Sequence, residues 1–370
     1  MDIPHCPNPA CRCFHEVPET SWYIRYGRYH TDAFGNVQRF RCKGCGVSFS
    51  TQTFSIDYYA KSIIDYDTLV EHLVSASGIL DLGRKLNARA ETIENRFERL
   101  SRCAVSIHGE LLKVLPMDED MAADGFESFS YSQYYPNDVN LIVGSSSEFI
   151  YAMGLSVLRR KGRMSERQRE KRRRLELKGK ADRKAVEESM YHILEDITQR
   201  LSRKGVRRKV LFSDERAAYA RAVRRIKEFP EYFVHVRIPS GACRTQGNPL
   251  FAISYVDRQI RKDLCDHVRE TVQFAKCPSA LMSRLSVYRF YHNCCIPRRV
   301  RASRRGEDET HAQRAGVSAR EQKAIIERYW KKRCFLLQQD LDREERKTWM
   351  CGWRNPGVAY GRYIPQYIAA

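Results

Sequence analysis

The sequence predicts a multidomain α/β protein. Three features carry that prediction: a cysteine-rich opening segment without helical periodicity, alternating strand-like and helix-like runs from residue 116 onward, and a basic excess gathered in one stretch. With 370 residues and 42% hydrophobic content, the chain can build two or three domains with real cores. Lys and Arg number 65 against 45 Asp and Glu, a net charge of +20. That excess favours a polyanionic partner, nucleic acid before others, because Lys and Arg neutralise phosphates and release counterions. No apolar run approaches the roughly 18 residues that span a bilayer. The opening MDIPHCPNPA has neither a basic start nor an apolar core. No secretory signal and no membrane partner are therefore expected, and the expected location is the cytoplasm, near the nucleoid.

Residues 1–55 are rich in Cys, Pro, Gly and aromatics. Of 13 cysteines, Cys6, Cys11, Cys13, Cys42 and Cys45 lie here and the others are scattered. In a reducing compartment that spacing argues against a disulfide framework. Cys6 with Cys11, and Cys42 with Cys45, make two thiolate pairs, and four thiolates close a structural zinc site. Gly44 and Gly46 allow the tight turn of a metal knuckle. The first pair is more widely spaced than the second, which leaves Cys13 and His15 as competing ligands. A segment this small has too little core to fold without a staple, so a zinc ribbon is expected. Between the pairs, strand-prone sequence interleaves aromatics with Arg39 and Arg41, which suits phosphate contact.

Residues 56–110 turn helical. Apolar positions recur at three and four: Leu69 and Leu73, Leu82 and Leu86, then Ile93, Phe97 and Leu100. ILDLGRKLNARAETIENRFERLSR reads as helix, short polar turn, helix: a helix-turn-helix candidate. Its second helix is expected to expose Glu91, Thr92, Asn95, Arg96 and Arg99. Lys61, Arg84, Arg89 and Arg96 are candidate DNA contacts.

Within residues 111–300, Asp124 lies in a predicted strand (121–131). Two strands follow (139–145 and 148–155), then a helix (185–202), a strand (208–213) ending on Asp214, and a further strand in EYFVHVRI. A helical stretch from about 250 to 293 carries Asp257. Asp118, Glu119 and Asp120 read as a solvated lead-in to the first strand. The insertion 158–184 holds 14 basic and 4 acidic residues. Ser165 and Gln168 fit a capping box that opens a helix there, and Arg159, Arg160, Lys161 and Arg163 are expected to hold the DNA backbone. The order of elements (acid-bearing strand, hairpin, helix, acid-ending strand, later acid-bearing helix) predicts a ribonuclease-H-like α/β catalytic domain. Such a fold gathers acids, and clustered carboxylates hold the two divalent cations that phosphodiester transfer uses. On local sequence alone Asp214 serves equally well as a helix cap, and Asp257 as the partner of Arg261 one turn later. Residues 301–370 read as a basic, mostly helical C-terminal tail with Trp349, Trp353 and the aromatic run YGRYIPQY.

The stretches RFRCKGCGVSF, DGFESFSYSQYYPNDVNLIVG, LRRKGRMSERQREKRR, LFSDERAAYARAV, NPLFAISYVDRQIRKDLCDHVRETVQFAK and LSVYRFYHN together resemble bacterial insertion-sequence transposases of the DDE type with an N-terminal zinc ribbon. The resemblance covers nearly the whole chain. It implies a transposase that binds the terminal inverted repeats of its element, nicks to free 3′-hydroxyls and joins them to target DNA. It implies work on double-stranded DNA as a dimer or higher oligomer, structural Zn²⁺, and catalytic Mg²⁺ or Mn²⁺ held by Asp124 and Asp214. The family places glutamate, or in some branches asparagine, near the start of the later helix, and the nearest equivalent here is Ser254. Asp257, three residues on, is the expected third acid, with Ser254 and Asp263 as alternates. The alternative reading is a zinc-ribbon DNA-binding regulator whose ribonuclease-H-like domain is inactive.

Overall fold

The computed structural model describes residues 3–19, 21–206, 208–268, 271–299 and 309–359, with 365 and 368. Most of the aromatic run in the tail therefore lies outside the described residues. The described chain is mixed α/β and contains two sheets. No helix among the described residues is long and apolar enough to cross a membrane.

At the N-terminus a short helix, α1 (Arg12–His15), precedes an antiparallel sheet of β1 (Tyr23–Thr31), β2 (Gly35–Cys42) and β3 (Ser48–Ser50), with β2 in the middle. β3 pairs only with residues 39–41, so beyond it β1 and β2 run on as a two-stranded ribbon. The apolar core here is small: Trp22, Phe40 and Phe49 beside the thiols. That thin core is the physical reason the segment needs a crosslink.

Three helices follow: α2 (Tyr66–Leu73), α3 (Ile79–Lys85) and α4 (Ala90–Val114). Asp65 caps α2 by accepting the Asp67 N–H. The turn from α3 to α4 is tight enough that a Cβ on Gly83 would sit 2.7 Å from the Ala88 carbonyl oxygen. Ile93, Phe97 and Leu100 face a core, as their spacing predicts. Further along α4, Ile107, Leu111 and Leu112 enter a second core.

The second sheet has the order β6-β5-β4-β7-β8. β4 (Met121–Phe129), β5 (Pro136–Gly144) and β6 (Ile150–Val157) are antiparallel neighbours, while β7 (Lys209–Asp214) and β8 (Phe233–Ile238) run parallel to β4. Between β6 and β7 come α5 (Glu166–Lys178) and α6 (Ala185–Lys204); α7 (Ala217–Arg225) and α8 (Phe229–Tyr232) precede β8; α9 (Phe251–Asp263) and α10 (Pro278–Cys294) follow it. Every residue of β5 is buried, because helices cover both faces. Val139, Leu141 and Val143 pack with Ile253, Val256 and Ile260 of α9, whereas Ile142 packs with Met190, Ile193 and Ile197 of α6. The period-2 alternation of a strand thus feeds two cores at once.

Several local expectations hold. The capping box of Ser165 and Gln168 opens α5. No residue of α5 is buried; its few acids pair along the helix, Arg174 with Glu170 for one, and the basic excess is left over. Others are corrected. The helical stretch of 250–293 is two helices, since α9 stops before an extended Leu264 and α10 starts at Pro278 behind the cap Cys277. Proline suits the first turn of a helix and cannot continue one. The lead-in to β4 is solvated at Asp118, which pairs with Lys209 while staying exposed, but tied down beyond it: Glu119 accepts from the Ser146, Ser147 and Tyr151 hydroxyls, and Asp120 accepts the Val210 N–H at 2.8 Å. In the tail Trp349 and Trp353 are buried, Trp349 beside Val105 of α4.

Candidate metal centres

The four expected cysteines converge. The sulfurs of Cys6, Cys11, Cys42 and Cys45 all lie within 4.8 Å of one another. Cys6 Sγ is 3.6 Å from Cys45 Sγ, and Cys11 Sγ is 3.8 Å from Cys42 Sγ. A tetrahedral zinc with bonds of about 2.3 Å has S···S edges of about 3.8 Å, so the thiols fit zinc. Two backbone turns set them. The Cys6 N–H donates to the Cys13 carbonyl, and the Gly46 N–H, with φ of +73°, donates to the Cys42 carbonyl. A Cβ on Gly44 would sit in ordinary contact with the sulfurs of Cys13, Cys11 and Cys42, at 3.5 to 3.8 Å, so this turn packs directly against the thiols. Cys13 is buried beside the cluster but outside it, and His15 Nε2 lies 2.8 Å from the Pro9 carbonyl oxygen. Burial pushes Cys6 up and Cys11 to about 11. Burial also acts to raise Cys45, but hydrogen bonds from Val47 and Asn8 outweigh it and bring that thiol to about 7.

Asp124 and Asp214 also meet. The parallel ladder pairs Ala122 with Phe212 and Ala123 with Ser213. One residue further, Asp124 and Asp214 stand side by side on strands about 4.8 Å apart, on the face that carries Ala122 and Phe212 and is covered by α9. Asp124 is raised from 3.8 to about 6, first by burial, then by the charges of Asp214 and Asp138; the Gly125 N–H and Arg244 act against the rise. Asp124 Oδ1 accepts that N–H at 2.8 Å. Asp214 Oδ1 accepts the Arg216 N–H at 2.9 Å, so the turn-capping role and a place in the pair coexist.

Sequence reasoning missed three neighbours. Asp138 on β5 is fully buried on the opposite face and ion-paired with Arg216. Its Oδ1 has no hydrogen-bond partner and would lie 2.6 Å from a Cβ on Gly125. Arg244, between β8 and α9, acts on Asp124 and has a buried Nη1 without a hydrogen-bond partner. A basic residue two after Asp214 was a signal for Arg216. Nothing in the sequence around Arg244 marked it.

The three aspartates do not form a tight cluster. Asp257 is half-buried on α9, one turn before Arg261. Arg261 lies 5.3 Å over the Phe126 ring and donates to the Glu127 carbonyl at 3.2 Å. Helical spacing therefore sets Asp257 on the stripe toward β4, with Ser254 one turn earlier. Among the described residues, however, the four cysteines are the only group of three or more metal-binding side chains within 4.8 Å. Asp263 turns away, accepting from the Tyr288 hydroxyl at 3.2 Å and pairing with Lys262.

The candidate DNA contacts divide. Arg39 and Arg41 both lie 5.4 Å from the centre of the Tyr26 ring. Lys61, Arg84, Arg89, Lys161 and Arg163 are exposed, Arg84 paired with Asp81. Arg159 forms a two-pronged pair with Glu176 at 2.6 and 2.8 Å, and Arg160 lies 4.8 Å over the Tyr134 ring. Arg96 is a correction: it is 3% exposed and donates to the Ser62 carbonyl at 2.9 Å. Arg99 is likewise buried, donating to the carbonyls of Ile56 and Tyr58. The irregular segment before α2 lies across α4, and its carbonyls, lacking a ladder, take the two guanidiniums as donors.

No family model matches the chain, and no curated protein matches it.

Proposed function

We propose that the chain is a metal-dependent DNA transposase with a zinc ribbon and a ribonuclease-H-like catalytic domain. The observation that carries the proposal is the pair of like-charged carboxylates on two adjacent parallel strands, Asp124 within β4 and Asp214 at the end of β7, in a chain of net charge +20. Two neighbouring acids, one raised to about 6 by burial first and by its partner's charge second, fit a divalent cation, since hard cations take oxygen ligands. The sheet order, with three antiparallel strands continued by two parallel ones and with α6 and α9 on opposite faces, supports the fold assignment.

Bound Mg²⁺ or Mn²⁺ would supply charge to activate an attacking oxygen and stabilise a leaving one. The protein does the rest. The Gly125 and Arg216 N–H groups each fix one oxygen of the pair. Arg244 brings positive charge to the same point, where a scissile phosphate is to lie. Asp257, on the covering helix, is the proposed third ligand. The exposed basic residues of 158–184, Lys161 and Arg163 among them, hold the backbone of element-end and target duplexes.

The test is cleavage and joining of labelled duplexes carrying the DNA that flanks the gene, with Mn²⁺. Wild type is expected to cut and join, and Asp214→Asn to bind without cutting. Full cleavage by that variant refutes the assignment. One observation favours a second reading, a DNA-binding regulator: the three aspartates are not gathered within 4.8 Å. Wild-type protein that binds and never cuts decides for the regulator.

A further inference from the structure

The exposed ribbon of β1 and β2 has a composition its small module does not need for folding. Residues 24–30 of β1 are all exposed, among them Ile24 at 48% and Tyr26 at 43%. From Ser21 to Ser50 the chain carries Arg25, Arg28, Arg39, Arg41 and Lys43 against a single acid, Asp32. An exposed edge strand invites pairing with other strands, and charge and bulges are the usual protection. Here the bulge falls between Arg25 and Arg28, around Gly27 with φ of +77°.

The two faces differ. Ladder partners share a face, so Arg25 and Arg28 stand with Gln38, and His30 with Asn36. Near β3 that face turns into the zinc core through Phe40 and Cys42; further out it is open. Its side chains hold one another: Arg28 Nε donates to Gln38 Oε1 at 3.2 Å, and His30 Nδ1 lies 3.3 Å from Asn36 Oδ1. The other face carries Tyr26 with Arg39 and Arg41. Arg, Gln and Asn are the side chains whose geometry matches base edges, Arg for guanine and Asn or Gln for adenine, and a two-stranded ribbon fits the major groove.

The pair α3–α4 offers less. Arg96 and Arg99 are buried, Glu94 is held by Arg284, and the first turn of α4 exposes Glu91, which repels phosphate.

We propose that the outer half of the β1–β2 ribbon is the sequence-reading element of this protein, entering the major groove of double-stranded DNA with Arg28, His30, Asn36 and Gln38 toward the bases. Arg39 and Arg41 on the outer face add positive field and affinity without base preference. The proposal rests on the DNA reading above and deepens it: the ribbon chooses the site, and the acid pair works on it. Duplex RNA is excluded as the preferred partner, because its major groove is too deep and narrow for side chains to read.

The experiment uses full-length, zinc-loaded protein and a pool of linear duplexes with a randomised centre. Bound DNA is recovered and sequenced for wild type, Arg28→Ala, Gln38→Ala and Arg39→Ala, after zinc content and melting confirm that each variant is folded. Wild type is expected to enrich a motif. Arg28→Ala and Gln38→Ala each lose preference at one or two positions by about 10-fold. Arg39→Ala binds more weakly and returns the same motif. If Arg28→Ala and Gln38→Ala both return the wild-type motif, the ribbon proposal is overturned while the DNA reading stands. If wild type binds without any motif, sequence reading falls. If it binds no duplex, or a duplex RNA competitor displaces the DNA at equal concentration, the DNA reading falls with it.

Discussion

Replacing Asp124 by Asn removes one charge of the acid pair and keeps its shape. The amide oxygen can still accept the Gly125 N–H that Asp124 Oδ1 accepts at 2.8 Å. Asp124 is raised from 3.8 to about 6 in the folded chain. At about 1.4 kcal/mol for each tenfold change in proton affinity, that rise corresponds to about 3 kcal/mol; residual solvent contact trims the figure toward about 2 kcal/mol. The sign follows from linkage. A carboxyl whose folded value lies above its unfolded one penalises the fold while ionised. The penalty is full above about 6 and disappears as pH falls toward 3.8. In zinc-loaded protein without added Mg²⁺ or Mn²⁺, Asp124→Asn is therefore expected to melt above wild type at pH of about 8 and to converge with it near pH 4. Added Mn²⁺ should stabilise wild type alone and close the gap, and the variant should not cleave DNA. Thermal melting across pH, with and without Mn²⁺, reads all of this. A variant that melts below wild type at high pH, or a gap indifferent to pH, would show that Asp124 is not a crowded anion.

Metal analysis should find one zinc per chain in wild type and in Cys13→Ser, and none in Cys42→Ser, because Cys13 is outside the converging four. Loss of zinc from Cys13→Ser would overturn that ligand set. Arg284→Ala should destabilise by about 3–5 kcal/mol. It leaves buried Asp266 without the guanidinium now 2.6 Å away and removes the 3.0 Å partner of Glu94. A melting point within a degree or two of wild type would count against this buried pair.

Much of the architecture was legible because it is written in near neighbours. Three- and four-residue spacing found α4 and α6, the Ser165 and Gln168 box found the start of α5, and an apolar run ending on an acid found β7 with Asp214 at its end. The four converging cysteines were legible as two knuckles. The errors share a form. Arg96 and Arg99 looked exposed because they are charged, and the carbonyls that bury them come from residues 56–62, more than thirty positions earlier. The break between α9 and α10 hid in a sequence with helical spacing on both sides.

By itself the sequence determined most of the elements, the cysteine set, the basic insertion and the two strands that carry Asp124 and Asp214, since each depends on residues within a turn, a knuckle or one strand. Only the tertiary structure decided that Asp124 and Asp214 share a face, that Asp138 and Arg244 act on Asp124, that the three aspartates do not form one tight cluster, and that the β1–β2 ribbon stands open. The reason is physical: the state of a charged group is set by whichever distant segment packs opposite it, and that segment is named nowhere in its own neighbourhood.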